Sequence, residues 1–421
     1  MQIQLLMTGD ELMTGVTVDS NSAFIAHALA KQGLGVHGKV IVGDDLLILV
    51  NEIDRLSQIT DVLIVNGGLG PTVDDRTAQA LAGAAGVELV EHQDAMAHLL
   101  EWCDSSSARA LNDANRKQAL LPAGCSVLPN ALGSAVGFWM ELNNCLVACT
   151  PGVPSEMRRM LREHVMPLLR ERFPNTKKIR QSRFHVFGLG ESRLQQWISD
   201  AFPDWPKEID LGFRAGLPTL EVKLTSQVGE YDELHDQWRE KLTTEIGDYI
   251  VSEGDVRLPE SMVKLLANKG KTVTAAESCT GGLIASILTT VSGSSDVFEA
   301  GFVTYSNEMK TEMVGVKPAT LEAHGAVSEP VVREMVAGAL QRSGANYGVA
   351  VSGVAGPKGG SDDKPVGTVW LAWGSTSNIK ARKFFVPRNR IVFQQIVAAL
   401  GLDLIRREIL GIEIEPDYYD A

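Results

Sequence analysis

The stretch DVLIVNGG at Asp61–Gly68 decides the fold class of the first third of the chain. Its apolar run leads directly into paired glycines, a pattern typical of a buried strand that ends in a tight turn. Two more strand candidates precede it, IQLLMTG at Ile3–Gly9 and VIV at Val40–Val42, and amphipathic helical stretches separate the three strands. This β–α–β–α–β order predicts a parallel sheet covered by helices.

The rest of the chain divides at two places. Proline, asparagine and a basic cluster interrupt the periodicity at Phe173–Arg180, and a smaller α+β stretch follows. Its GLGE segment at Gly188–Glu191 distantly resembles the GxxG loop of KH domains, although we favour a plain spacer between a strand and a helix. A third unit, again of α/β pattern, begins near Asp255. We predict domains at residues 1–172, 173–254 and 255–421.

Composition restricts the classes of partner. The 421 residues are 44% hydrophobic and 22% charged, which excludes a disordered or fibrous protein. The formal net charge is -13 and only 6% of residues are aromatic. The chain as a whole therefore repels nucleic acid and anionic membranes, and it offers few surfaces on which bases could stack. We predict small-molecule partners, with no nucleic acid and no membrane.

The cysteines predict a reducing compartment. There are five, without a CxxC pair, which is typical of reduced thiols rather than of a disulfide scaffold or a zinc site. The first residues, MQIQLLMTGDEL, lack the basic start of a signal peptide. No run approaches the roughly 20 apolar residues of a membrane span. We predict a cytoplasmic protein.

The most informative stretch for chemistry is TVTAAESCTGGLIASIL at Thr272–Leu288. An apolar strand ends in hydroxyl side chains and two glycines, and a helix then begins. The residues in question are Ser278, Thr280, Gly281 and Gly282. Free N–H groups at a helix N-terminus favour a phosphate or a developing oxyanion, and glycines let a ligand approach the backbone closely. The alternative is a plain helix cap provided by Ser278 or Thr280.

A second cluster adds a base. GFVTYSNEMK at Gly301–Lys310 brings Tyr305 and Lys310 close together in sequence. A lysine beside a serine hydroxyl acts as a general base when burial lowers its pKa. No histidine lies within these motifs, and we interpret His324 as an ordinary loop residue. A Ser–Lys pair is therefore favoured over a Ser–His–Asp triad.

A glycine-rich loop at Val351–Thr368 supplies a third cluster. A strand ends there at Ser352–Gly353, and the glycines of the loop can form a concavity for an anion; a long flexible loop is the plain alternative. Arg388 and Arg390 stand at the start of the last helix. They suit bidentate phosphate contact, or are ordinary surface arginines.

In the first third, the turn NGGLGPTVDD at Asn66–Asp75 combines the elements of a phosphate site and a cation site. Glycines after a strand suit an anionic ligand, and the adjacent Asp74 and Asp75 suit a hard divalent cation. This combination favours phosphoryl or pyrophosphoryl chemistry. The alternative is a helix N-terminus whose aspartates stabilise the helix dipole.

The motifs of residues 258–410 resemble, in their order, the C-terminal domain of the CinA family (competence/damage-inducible protein CinA). They are AESCTGG, GFVTYSNEMK, GAVSEPVV, VSGVAGPKGGSDDKPVGTVW and the helix at Arg390. That domain is similar to PncC, the nicotinamide-nucleotide amidohydrolase. The resemblance implies hydrolysis of the carboxamide of nicotinamide mononucleotide (NMN) to nicotinate mononucleotide and ammonia, without a cofactor. It implies Ser278 as nucleophile, Lys310 and Tyr305 as its activating partners, and a substrate site at Thr280, Ser352, Gly353 and Arg390.

The chemistry that follows is acyl transfer. We expect Ser278 to give its proton to Lys310, directly or through Tyr305, and to attack the carboxamide carbon. The N–H groups of Gly281 or Gly282 are the candidates to hold the oxyanion. Cys279 is the rival nucleophile, because a thiolate is intrinsically a stronger nucleophile than a serine hydroxyl.

The motifs of residues 1–170 resemble the other half of CinA, which is related to the MoaB/MogA molybdopterin-binding fold. They are GDELMTG, VDSNS, NGGLGPTVDD, NRKQALLP and PGVPSEM. The resemblance implies an ADP-ribose pyrophosphatase that depends on a divalent metal ion, with Asp74 and Asp75 as the metal candidates. The predicted nucleotide-binding residues are Asn66, Gly67, Gly68, Gly70, Thr72, Asn115, Lys117, Ser155 and Glu156.

Together these resemblances predict two three-layer α/β domains joined by a small α+β, KH-like domain, and family behaviour predicts a homodimer. The combined function would be a bifunctional enzyme of pyridine-nucleotide salvage, since NMN and ADP-ribose are both fragments of NAD breakdown. The alternatives are a molybdopterin-binding or cofactor-biosynthesis protein and a non-enzymatic competence factor.

Overall fold

The structure, a computed structural model, describes residues 1–104, 111–174 and 179–413. It divides into two compact units, Met1–Arg180 and Gln181–Ala421. The domain limits at 172/173 and 254/255 stay predictions. Residues 175–178, within the predicted boundary segment, lie outside the described residues.

The first unit alternates strands and helices. Its strands are β1 (Ile3–Thr8), β2 (Val36–Val42), β3 (Val62–Asn66), β4 (Leu89–Glu91), β5 (Leu120–Pro122), β6 (Ser126–Leu128), β7 (Gly137–Leu142) and β8 (Cys145–Thr150). Its helices are α1 (Asp10–Met13), α2 (Asn21–Ala30), α3 (Leu46–Ser57), α4 (Thr77–Ala85), α5 (Gln93–Asp104), α6 (Asp113–Arg116), α7 (Pro154–Met160) and α8 (Met166–Arg172).

Six of these strands form one sheet, in the order β2-β1-β3-β8-β7-β6. β1 is parallel to β2 and β3, and β3 is parallel to β8, which confirms the predicted parallel sheet. β7 returns antiparallel to β8. The turn between them holds Asn143 and Asn144 at positive φ (53° and 65°), the geometry of a two-residue hairpin. This antiparallel edge departs from the wholly parallel sheet that the β–α–β rhythm predicts.

Two hydrophobic cores cover the two faces of this sheet. Leu63 and Val65 of β3 belong to the core that contains Leu49 of α3. Ile64, which points the other way, belongs to the core that contains Ile25 of α2. A strand buried on both faces has a continuous apolar sequence, as VLIV does. The three-layer α/β architecture predicted for this part of the chain is confirmed.

From Ile179 onward the chain builds two further sheets. The strands are β9 (Ile179–Val186), β10 (Asp210–Arg214), β11 (Leu220–Gln227), β12 (Ile250–Glu253), β13 (Val273–Glu277), β14 (Phe298–Val303), β15 (Tyr347–Gly353), β16 (Thr368–Ser375) and β17 (Asn378–Phe385). The helices are α9 (Glu191–Ala201), α10 (Asp232–Ile246), α11 (Leu258–Lys269), α12 (Leu283–Thr289), α13 (Asn307–Val314), α14 (Pro318–His324), α15 (Glu329–Ser343) and α16 (Arg390–Leu410).

The smaller sheet has four strands in the order β10-β11-β9-β12. Helices α9 and α10 contribute Leu194, Ile198 and Trp238 to its core. The α+β character predicted for this segment is therefore present, while its likeness to a KH domain stays a prediction.

The larger sheet has the order β14-β13-β15-β16-β17. β13 is parallel to β14 and β15, and β16 and β17 form the predicted antiparallel hairpin. Val349 and Val351 of β15 pack in the core that includes Phe393 of α16, and Ala350 packs on the opposite face with Val336 of α15. This part of the chain is again three-layered. Among the helices of the described residues, none combines the length and apolarity that crossing a bilayer requires.

Candidate active site

The candidate active site of the second unit lies at the carboxyl ends of its parallel strands. In the sheet register Glu277, the last residue of β13, lies opposite Val303 and Val351. The turn that begins at Ser278 therefore lies beside the segment that enters α13. The crevice outside the carboxyl ends of parallel strands is the usual ligand position in open α/β sheets.

Ser278 and Lys310 are brought together in this crevice. Lys310 Nζ lies 3.1 Å from Ser278 Oγ. The lysine projects from α13, whose first turn is capped by the hydroxyl of Ser306, which accepts the N–H of Met309 at 3.2 Å. Ser278 is half-buried, whereas Lys310 is only 1% exposed. The predicted nucleophile is thus accessible and the predicted base is buried behind it.

The surroundings of Lys310 favour its neutral form. Its Nζ donates to the carbonyl oxygens of Thr304 (2.9 Å) and Tyr305 (3.5 Å). Within the described residues no carboxylate forms an ion pair with it. Burial lowers the pKa of the Lys310 amine below its ordinary value of 10.5. A larger fraction of the amine can therefore accept a proton near neutral pH than for an exposed lysine.

The environment of Cys279 disfavours it as the nucleophile. Its side chain is 5% exposed, and burial raises the pKa of the Cys279 thiol to about 12. The thiolate, which is the reactive form, is therefore scarce at neutral pH. The backbone of this residue is fixed as well, because Gln394 Nε2 donates to its carbonyl at 2.8 Å. These contacts favour Ser278 over Cys279 as the nucleophile.

Glu277 organises the turn that carries Ser278. Its carboxylate is fully buried and accepts three backbone N–H groups, those of Gly282 (3.1 Å), Ile284 (3.0 Å) and Ala285 (2.9 Å). The carboxylate of Glu277 thus occupies the position at the first turn of α12 where an external anion would bind. This leaves no anion site on the first turn of α12 for a phosphate, contrary to the expectation from the sequence.

The two N–H groups predicted to hold an oxyanion are already engaged. That of Gly282 donates to the carboxylate just described, and that of Gly281 donates to the carbonyl of Ser278 at 3.1 Å. The amides of Cys279 and Thr280, by contrast, donate to no carbonyl of another described residue. The hydroxyl of Thr280 is buried without a hydrogen-bond partner there. The unengaged amide donors are therefore two residues closer in sequence to the nucleophile than the predicted pair.

Replacing Glu277 by alanine should destabilise the second unit by about 3 kcal/mol, because three buried N–H groups would lose their acceptor. Glu322→Ala, which removes an exposed glutamate from α14, is the matched control and should change stability by less than about 0.5 kcal/mol. Urea unfolding followed by far-UV circular dichroism measures both. Equal midpoints for the two variants would contradict the anchoring role of Glu277.

Tyr305 and Arg390 form a separate pair. Arg390 Nη2 donates to the Tyr305 hydroxyl at 2.9 Å, and its Nη1 donates to the carbonyl of Gly356 at 3.0 Å. Tyr305 is 60% exposed, and only its carbonyl approaches the amine of Lys310. The structure therefore does not bring the phenol between Ser278 and Lys310, and the serine–lysine contact is direct. Arg390 instead links the glycine-rich loop to the site.

Ser352 and Gly353 shape the site from within. The Ser352 hydroxyl is buried and donates to the carbonyl of Ala326 at 2.8 Å, which fixes the segment ahead of α15. A Cβ on Gly353 would lie 2.8 Å from the carbonyl oxygen of Thr368, so a side chain does not fit there. Both residues thus act on the backbone around the crevice.

In the first unit a cavity of about 370 Å³ adjoins the predicted glycine turn. Gly67, Gly68 and Gly70 line it together with Asp74 and Asp75. Gly67 has φ 113°, and a Cβ there would lie 2.6 Å from a carbonyl oxygen of β1, so only glycine is accommodated. The structure thus brings the predicted phosphate and cation elements to one cavity.

The acidic pair is held by one threonine. The Thr72 hydroxyl contacts Asp74 and lies 2.5 Å from Asp75, and its N–H donates to Asp75 at 2.8 Å. The hydrogen bond from Thr72 lowers the pKa of the exposed Asp74 carboxyl. Lys117 Nζ donates to the Thr72 carbonyl, which places a positive charge beside the pair.

Asp74 and Asp75 supply two of the oxygen donors that a divalent cation requires. No three His, Cys, Asp or Glu side chains converge as a cation site within the described residues. Two adjacent carboxylates beside a glycine turn nevertheless fit Mg²⁺, which is usually held by one or two carboxylates, waters and the phosphates of its substrate.

The remaining predicted nucleotide contacts differ in their placement. The Asn66 amide is buried and donates to the carbonyl of Pro151 at 2.7 Å, so it joins strand ends instead of facing the cavity. Glu156 lines the cavity and accepts from Asn130 at 2.7 Å. Ser155 is exposed in the first turn of α7, and Asn115 lies in α6; neither lines this cavity.

Three residues of the C-terminal site were not predicted from the sequence. Glu277 has a visible signal, a carboxylate that closes an apolar strand just before turn glycines. Asn389 caps α16 by accepting the N–H of Val392 at 3.1 Å, as expected for asparagine before a helix. Gln394 lies 115 positions from the carbonyl it binds, and nothing local in the sequence indicates that contact.

Two known families match separate parts of the chain. A family model described as the CinA C-terminal domain matches residues 255–409, and one described as a probable molybdopterin binding domain matches residues 4–171. The chain is 52% identical over 420 residues to a CinA-like protein of Colwellia psychrerythraea, covering 99% of this chain and 97% of that protein. It is 38% identical over 419 residues to a Shewanella oneidensis protein named nicotinamide-nucleotide amidohydrolase PncC, covering 99% and 98%.

Two solved structures are similar to parts of the chain. A competence/damage inducible protein, CihA, from Agrobacterium tumefaciens is 41% identical with a TM-score of 0.35, covering 35% of this chain and 91% of that one. The molybdopterin biosynthesis enzyme MoaB from Thermus thermophilus is 21% identical with a TM-score of 0.29, covering 41% and 92%. The two family models and the full-length relative at 52% identity show that the chain belongs to the CinA family.

Proposed function

We propose that this protein is a nicotinamide-nucleotide amidohydrolase that converts NMN and water to nicotinate mononucleotide and ammonia. The observation that carries the proposal is the distance of 3.1 Å between Lys310 Nζ and Ser278 Oγ, at the carboxyl edge of a parallel sheet. The name of the Shewanella oneidensis relative supports the choice of substrate.

The first half of the reaction forms an acyl-enzyme. Neutral Lys310 takes the proton of the Ser278 hydroxyl as the oxygen attacks the carboxamide carbon of NMN. The tetrahedral intermediate then collapses, the C–N bond breaks, and the ammonium of Lys310 returns a proton to the leaving nitrogen, which departs as ammonia. The nicotinoyl group is left as an ester on Ser278.

The second half releases the acid. Lys310, neutral again, takes a proton from a water molecule that attacks the ester carbonyl. Collapse of this second intermediate returns the proton to Ser278 and frees nicotinate mononucleotide. One lysine thus serves as base and acid in both halves, and the sequence of steps consumes one water in total.

The free donors of the turn suit the oxyanion. The amides of Cys279 and Thr280 and the unpartnered Thr280 hydroxyl lie next to the nucleophile. A preorganised donor of this kind typically contributes about 3 kcal/mol to a barrier. The nucleotide phosphate is assigned to Arg390 and the glycine-rich loop to which Arg390 donates at Gly356.

The proposal is tested by incubating the purified full-length protein with NMN. Ammonia and nicotinate mononucleotide should appear in equal amounts, measured by a glutamate dehydrogenase assay and by chromatography. A folded sample that releases no ammonia would overturn the proposed function. Retention on DNA with a steep salt dependence would favour the alternative of a competence factor.

Tyr305→Phe should reduce kcat/KM for NMN by no more than about tenfold, because the phenol contacts Arg390 and not the serine–lysine pair. Arg390→Met should raise KM more strongly, since it removes the cation assigned to the phosphate. Steady-state kinetics distinguish the two. A loss of kcat in Tyr305→Phe as large as that caused by removing Lys310 would restore the phenol as a proton relay.

A second activity, ADP-ribose pyrophosphatase, is proposed for the first unit. Its support is the cavity of about 370 Å³ that joins the glycine turn to Asp74 and Asp75. In this proposal Gly67, Gly68 and Gly70 receive the pyrophosphate. Asp74 and Asp75 would hold a divalent cation, which supplies positive charge at the scissile phosphate. Thr72 orients both carboxylates.

Release of AMP from ADP-ribose should require added Mg²⁺ or Mn²⁺ and fall at least about 100-fold in Asp75→Ala, because one of the two carboxylates would be lost. Asp94→Ala, which removes an acidic residue of α5, is the control. Chromatography of AMP measures both. EDTA should stop AMP release but leave ammonia release from NMN unchanged; pyrophosphatase activity that survives chelation would contradict the cation assignment.

A further inference from the structure

A cleft in the second unit has no part in the reactions above. It measures about 620 Å³ and lies between the β10–β11 turn and the helices α11, α12 and α16. This volume is typical of pockets that hold small molecules. Neither Ser278 nor Lys310, the proposed catalytic pair, lines it.

One wall of the cleft is apolar. Leu283 and Ile287 of α12 and Ala398 and Ala399 of α16 form it. Ala398 and Ala399 are only 0% and 2% exposed. The partly exposed side chains of Leu283 and Ile287 therefore provide most of the apolar surface against which a flat ring can lie. Pro218, on the opposite turn, closes the cleft from the other side.

The other wall is polar and carries more positive than negative charge. Arg257, just before α11, lines the cleft, and its guanidinium has no hydrogen bond or ion pair with any described residue. Glu221 also lines it and is only 6% exposed. Its carboxylate is neutralised by Arg214 at 3.0 Å and Lys223 at 3.7 Å. In a chain of net charge -13, this local excess of arginine favours an anionic ligand.

We propose that this cleft binds a nucleoside monophosphate. The base lies on the apolar wall of α12 and α16, the phosphate contacts Arg257, and the ribose hydroxyls donate to Glu221. An aromatic ring, a neutral hydroxylated centre and an anionic end match the apolar, acidic and basic parts of the cleft in turn. The proposal does not depend on the proposed amidase activity.

The site is tested by photolabelling the full-length protein with an azidoadenine derivative of AMP and mapping the labelled peptides. Label should fall on the β10–β11 turn (residues 214–221) or on residues 395–399. AMP should compete with it, whereas adenosine should compete at least about tenfold more weakly, because it lacks the phosphate. Label confined to residues 66–75 or 278–282 would overturn the proposal, since those belong to the sites already described.

Two variants and a control make the test specific. Arg257→Ala should reduce AMP-protected labelling at least about tenfold, whereas Lys264→Ala, an equal charge loss on an exposed face of α11, should change it by less than about twofold. Gln395→Trp, which places a large ring at the exposed mouth of the cleft, should abolish it. Far-UV circular dichroism and the urea midpoint of each variant report folding. Undiminished labelling in both Arg257→Ala and Gln395→Trp would contradict the site.

Discussion

Ser278→Ala should lower kcat for ammonia release from NMN by at least about 10⁴-fold, because no acyl-enzyme can form without the hydroxyl. The residual rate would reflect binding and the free amide donors alone. The measurement is single-turnover ammonia release, with mass spectrometry to detect the ester on the wild-type chain. The variant should fold normally, since the Ser278 side chain is half-buried and, among the described residues, its hydroxyl is hydrogen-bonded to Lys310 alone.

Cys279→Ala is the matched control for this prediction. It removes the adjacent side chain, whose thiol has a pKa raised to about 12 by burial. The variant should keep kcat within about tenfold of the wild type, the cost being a small packing loss beside the nucleophile. The opposite pattern, an active Ser278→Ala and an inactive Cys279→Ala, would transfer the nucleophilic role to the cysteine.

Lys310→Met should lower kcat by about 10³-fold, the typical contribution of a positioned general base. Methionine keeps most of the buried volume but cannot accept the serine proton. Lys310→Arg should be equally impaired, because a guanidinium stays protonated at all relevant pH values. Lys317→Met, the same change at an exposed lysine, is the control and should be near wild type. Recovery of activity in Lys310→Arg would mean that positive charge, not basicity, is what the site needs.

The pH profile of kcat/KM tests independently whether Lys310 is the general base. Only the neutral amine accepts the serine proton, so kcat/KM should rise with pH through the pKa of Lys310 and then level off. Burial lowers that pKa below 10.5, so the plateau should begin at a lower pH than for an exposed lysine. In Lys310→Met the rise should disappear. A wild-type profile without a rise, or an unchanged rise in Lys310→Met, would contradict the assignment.

The pairing of Ser278 with Lys310 could be predicted because both residues lie in recognisable motifs. Ser278 lies in AESCTGG, and Lys310 ends GFVTYSNEMK. The two residues are 32 positions apart, and their contact depends on β13 and β14 lying side by side with their carboxyl ends level. Motif resemblance indicated this contact, whereas spacing alone did not. The wrong choice of oxyanion donors has a local cause. Gly281 and Gly282 look free in the sequence, but the carboxylate of Glu277 folds back onto the same turn.

Other features depend on contacts that no local pattern records. Gln394 reaches the turn from α16, and Tyr305 is drawn to Arg390 across 85 positions of sequence. In the first unit the apolar runs were sufficient to predict the parallel strands, since burial on both faces leaves a clear sequence pattern. The cavity beside Asp75 was predicted from its glycines and acids. The nucleotide-binding role of Asn66 stays a prediction, and its amide contact with Pro151 depends on the position of the β8 end, which no local pattern indicates.

The core of the larger sheet extends beyond the segment matched by the CinA C-terminal model. Phe187 and Val251 belong to the same buried cluster as Phe393, and Arg406 near the end of α16 donates to the carbonyl of Asp248 at 2.9 Å. A shortened gene product that starts at residue 255 would expose the apolar surface that Phe187 covers. It would also remove one of the acceptors of the buried Arg406 guanidinium, which would keep its contact with Asp403. Minimal expression of the C-terminal domain of this chain therefore calls for retaining the four-stranded sheet that precedes it.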